Sequence, residues 1–174
     1  MTVVRRFVLF CVCICIMFSG VQAQESGTIQ AIATVVSSLQ VIGINNLNFG
    51  TVTPGINKTV DKAEVGFAGE WQINGTASAE VTIDFTLPVN LITTDSVSTL
   101  QINFNTTDAS FEDGTGGGQT IPAGVINPRL QSVEDIGLGG TMSVWIGGQV
   151  QPTISQTGGD YAADVVMTVS YTGN

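Results

Sequence analysis

The stretch Gly158–Tyr171, GGDYAADVVMTVSY, constrains the chain most. Tyr161, Ala163, Val165, Met167, Val169 and Tyr171 fall on one side of a period-two pattern. Ala162, Asp164, Val166, Thr168 and Ser170 fall on the other. Alternation rich in β-branched and aromatic residues predicts a long β-strand with one buried face. A strand's edge presents a row of N–H and C=O groups that invites pairing, so this one needs a sheet to receive it.

The rest of the chain supplies that sheet. Gly27–Val36 reads as a first strand, apolar on both faces in places. Leu39, Val41 and Ile44 mark a second, broken by Gly43, and Pro54-Gly55 a turn. Residues 57–61 read as loop or short strand. In 65–74, Phe67, Trp71 and Ile73 share one side of an extended chain. Val81, Ile83, Phe85 and Leu87 share another, closed by Pro88. Leu100, Ile102 and Phe104 alternate with Gln101 and Asn103. Residues 106–120, TTDASFEDGTGGGQT, read as a surface loop. The run 124–132 is ambiguous, and 130–136 is compatible with one helical turn. Residues 140–150 read as a strand with Met142, Val144 and Ile146 on one face and Trp145 on the other. Gly147-Gly148 marks a bulge or bend in it. No stretch sustains helical periodicity, so the expected class is all-β: an antiparallel sandwich of about seven to nine strands.

The start has the pattern of an export signal. Arg5 and Arg6 precede an apolar run from Phe7 to Met17, and Val21-Gln22-Ala23 puts small residues where a signal peptidase reads. The run is shorter than a membrane span. The expected organisation is a signal peptide at 1–23, cleaved after Ala23, and one domain at 24–174, secreted or held at the cell surface after passing through the periplasm. No membrane span is expected in that domain. Cys11, Cys13 and Cys15 all lie inside the signal, so the mature domain must be stabilised by its core without disulfides.

Three basic residues, Lys58, Lys62 and Arg129, face fourteen acids in the mature part, a net charge of −11. Such a surface repels a phosphate backbone, so no nucleic-acid partner is expected. The chain has no histidine. That removes the commonest general base and, with no mature cysteine, the usual transition-metal ligands. No cofactor, metal or catalytic residue is assigned, and no enzyme activity is expected.

Some groups have side chains suited to chemistry. Asp108, Glu112 and Asp113 are oxygen donors on a flexible loop, as calcium prefers, but their spacing departs from the EF-hand pattern. Glu134-Asp135 and Glu80/Asp84 are the nearest approach to a glycosidase carboxylate pair. Solvated surface acids are the commoner reading of both groups. Trp71 and Trp145 are candidates for an aromatic platform, although strand tryptophans more often sit in the core.

The order L-x-V-x-(few)-L-x-F-G from Leu39 to Gly50, then G-x-M-x-V-x-x-G-G from Gly140 to Gly148, then the alternating end, resembles the bacterial secreted domain of unknown function 4402. It is similar also to the spore coat protein U and pilin-like β-sandwich group. The resemblance covers most of the mature chain and implies an exported immunoglobulin-like sandwich, with no catalytic residues to carry over.

Two functions follow as expectations. The first is a non-enzymatic structural protein of the cell surface, a pilin-like subunit that oligomerises with copies of itself by β-strand addition. Residues 24–36 are the candidate donor, and the sequence leaves open whether they pair within their own domain or with a neighbour. The alternative is an extracellular module that binds carbohydrate or another surface ligand through Trp71, Trp145 or the 106–120 loop.

Overall fold

The computed structural model describes residues 38–173, with Gln30, Ile32 and Val35 ahead of them. The expected signal, and all but those three residues of the first strand expected at 27–36, lie outside the described residues. Among the described residues there are thirteen strands and no helix.

The first sheet runs in the order β1 (Gln40–Asn45), β3 (Gly69–Asn74), β10 (Thr141–Ile146), β7 (Ala109–Glu112), β8 (Gly124–Ile126). The second runs β12 (Tyr161–Ala162), β5 (Asn90–Thr93), β6 (Thr99–Asn103), β11 (Gly148–Gln151), β2 (Lys58–Val60). The third runs β13 (Val166–Tyr171), β4 (Glu80–Thr86), β9 (Ser132–Asp135). Every pairing is antiparallel. The inward faces of the three sheets meet in one core. The first contributes Ile73, Met142, Val144 and Ile146, the second Leu100, Ile102 and Val150, the third Val81, Ile83, Phe85 and Met167. The all-β, sandwich-like class read from alternation is therefore the class observed.

The core follows from the period of two. In β4, Val81, Ile83 and Phe85 are buried while Asp84 and Thr86 are exposed. In β10, Met142, Val144 and Ile146 face the core, and Trp145 opposes Ser110 on the other face. That face is covered too: Trp145 is 5% exposed and Ser110 fully buried. Pro54 and Gly55 form the expected turn. Gly55 has φ +77°, and the Ile56 N–H closes onto the Thr53 carbonyl at 3.1 Å.

Several expectations are corrected. The long strand at 158–171 is split: β12 pairs with β5, and β13 with β4. Between those pairings three residues, 163–165, face five, 87–91, so the ladder cannot continue. Pro88, inside the longer side, has no N–H to give. The 140–150 strand divides at Gly147, where the chain leaves the first sheet for the second. A side chain on Gly147 would strike the Val60 carbonyl and the Lys62 amide. The 106–120 stretch contains β7, an inner strand of the first sheet, rather than loop throughout. Residues 130–136 hold β9, not a helical turn. With β5 and β8 also unforeseen, these splits and additions raise the number of strands above seven to nine. Phe67 lies in a turn ahead of β3 and is 45% exposed, so it does not join Trp71 and Ile73.

Candidate functional site

Each sheet ends in two edge strands, β1 and β8, β12 and β2, β13 and β9. β1 ends the first sheet, and β12 and β13 end the second and third. Among the described residues none of these three has a strand on its outer flank. β1 pairs with β3 through Val41–Ile73 and Gly43–Trp71, with a shift of register between Gly43 and Asn45. Its inward Val41 and the bulged Ile44 are 36% and 49% exposed. An edge strand buries its apolar face only partly, because nothing flanks it.

The β13 edge can be read residue by residue. The Thr172 N–H reaches the Glu80 carbonyl at 3.2 Å, extending the pairing Val166–Thr86, Thr168–Asp84, Ser170–Thr82. Hydrogen-bonded pairs alternate in an antiparallel ladder, so Met167 and Val169 turn their N–H and C=O groups away from β4. Their side chains point inward, Met167 buried and Val169 half-buried against the core.

Where the first sheet gives way to the strip 45–54, a cleft of about 1190 Å³ opens. Leu91, Leu100, Ile102 and Val150 of the second sheet form its floor. Its lips are the strip 43–54 and the run 156–165, and Trp71 stands in its wall. Trp71 is half-buried and meets Phe85 edge-on, with ring centroids 5.9 Å apart and planes at 62°. Tyr161 is held by its hydroxyl, which donates to the Thr157 carbonyl at 2.7 Å and accepts from Gln156 Nε2 at 2.8 Å. Among the described residues no Lys or Arg lines the cleft.

The candidate acids do not converge. Glu112 turns its carboxylate onto its own loop, accepting the N–H groups of Gly114 at 2.7 Å, Gly116 at 2.9 Å and Gly118 at 3.3 Å. Asp113 accepts from the Thr115 hydroxyl and N–H, and the hydroxyl bond first of all holds its pKa below the usual range. Asp108 caps the Asn105 N–H at 2.7 Å. These oxygens serve turns, and among the described residues no group of three or more metal-ligating side chains gathers. Glu134 and Asp135 are consecutive in β9 and face opposite ways; Asp135 shares a face with Glu80 instead. Burial, then the charges of Asp135 and Asp113, push the Glu134 pKa up. Trp145 lies too deep to offer a ring face, and its Nε1 has no hydrogen-bond partner among the described residues. Of the two tryptophans, Trp71 lines this cleft and Trp145 does not. The lips at 45–48 and 156–160 were not marked by sequence reasoning, because Asn, Gly and Thr clusters signal turns and nothing more.

No family model matches the chain, nor does any curated protein.

Proposed function

We propose that this is an exported, non-enzymatic structural protein of the cell surface that assembles by β-strand addition. In this reading it is an immunoglobulin-like, pilin-like subunit, and residues 24–36 of one copy pair with the β13 edge of the next. The β13 edge carries the reading: its backbone groups at Met167 and Val169 face outward above an apolar seam. An extended segment gains main-chain hydrogen bonds there, and pockets for alternate side chains give it register. In the donor, Ile29, Ala31, Ala33 and Val35 alternate with Thr28, Gln30, Ile32 and Thr34, so one face is small and apolar. The signal-like start and the resemblance to secreted pilin-like domains support the same reading.

Electron microscopy and size-exclusion chromatography of the secreted fraction, with and without residues 24–36, test it. The full mature chain is expected to form linear assemblies, and the shortened chain to be monomeric with an unchanged β-type circular-dichroism spectrum. A mature chain that is only ever monomeric, or a deletion that merely unfolds it, contradicts the proposal.

A further inference from the structure

We propose that the cleft between the 45–54 strip and the 156–165 run binds an extended, uncharged oligosaccharide. Its wall ends at Val165, before β13 begins, so the site is separate from the edge assigned to strand addition. Three aromatic residues line it, the buried Phe49 and the half-buried Trp71 and Tyr161, and the latter two are held in place before any ligand arrives. Phe85 fixes Trp71, and the bonds to Gln156 and Thr157 fix Tyr161. A rigid ring offers a flat apolar surface to the C–H face of a sugar with little conformational entropy left to lose.

The lips supply the polar half. Asn46 and Asn48 on one side, Asp160 and Asp164 on the other, are exposed. Among the described residues, Asp160 and Asp164 form no side-chain hydrogen bond. Amides and carboxylates together donate to and accept from hydroxyl groups. Without Lys or Arg among the described residues of the wall, and with two carboxylates at its rim, the cleft repels anionic ligands such as uronate polymers or phosphates. At about 1190 Å³ it exceeds the usual range for one drug-sized ligand, which leaves room for more than one sugar unit.

The test is a titration of the full mature chain with cellohexaose, chitohexaose and xylohexaose, followed by tryptophan fluorescence and calorimetry. Polygalacturonate and glucose serve as controls. Trp71 is the reporter, since Trp145 is buried off the cleft. Saturable binding of at least one neutral hexasaccharide, tighter than that of glucose and undiminished by salt, is expected. Tyr161→Ala should weaken it by about tenfold or more, equivalent to about 1.4 kcal/mol. Asn46→Ala combined with Asp164→Asn, both exposed and outside the core, should weaken it also while leaving the thermal melt unchanged. That pair keeps the test decisive if Tyr161→Ala fails to fold. Absence of saturation by every neutral hexasaccharide up to about 10 mM, binding indifferent to the lip substitutions, or preference for polygalacturonate overturns the proposal. Because the lip variants retain residues 24–36 and the β13 edge, their failure to bind sugar leaves assembly by strand addition intact, and the two readings are tested apart.

Discussion

Glu134 is where the electrostatics of single residues can be read most directly. Burial and two neighbouring carboxylates disfavour its charge, so the folded chain holds its proton to a higher pH than the unfolded chain does. Ionisation at neutral pH therefore opposes folding, and that opposition fades as pH falls through the raised pKa. Glu134→Gln should raise the melting temperature at pH 7, and the gain should shrink on acidification, as scanning calorimetry across pH 7 to 4 would show. Glu112 has a structural task, its carboxylate accepting three backbone N–H groups of the loop that follows it. Glu112→Ala should cost about 1–3 kcal/mol in chemical denaturation and expose residues 113–121 to proteolysis.

Corners between sheets decide the fold at the level of elements. Gly147 is buried where β10 becomes β11, against the backbone of Val60 and Lys62. Backbone cannot step aside as a side-chain tip can. Gly147→Ala should destabilise the domain by about 1–3 kcal/mol, measured by urea unfolding. Strand interiors with clean alternation, such as Val81–Phe85 and Leu100–Ile102, were legible from sequence because burial of one face imposes the period. Their partners were not. The pattern in 161–171 is unbroken, yet the strand breaks because the facing run 87–91 carries Pro88 and two extra residues. β7 was hidden because Ala109 and Ser110 are buried without being strongly apolar, and β9 because Ser132 and Glu134 occupy inward positions. The cleft is formed by the lips meeting across more than a hundred residues of sequence, which no local pattern records.

The whole chain is acidic, and its three antiparallel sheets share one core and end in unflanked strands among the described residues. Glu80, Asp113, Glu134 and Asp135 belong to the strands and loops around β4 and β9. Ile56 and Ile154 project from turns that touch at Gly55, 62% and 92% exposed. Such groups do not by themselves choose a partner, whereas an unflanked strand edge does, because main-chain groups are satisfied only by another strand or by water. Hydrogen–deuterium exchange of the mature chain over a range of protein concentrations tests this directly. The account predicts that amides of Met167 and Val169, and those of residues 24–36, gain protection together as concentration rises. Protection at these positions that is independent of concentration, or absent at every concentration, would contradict it.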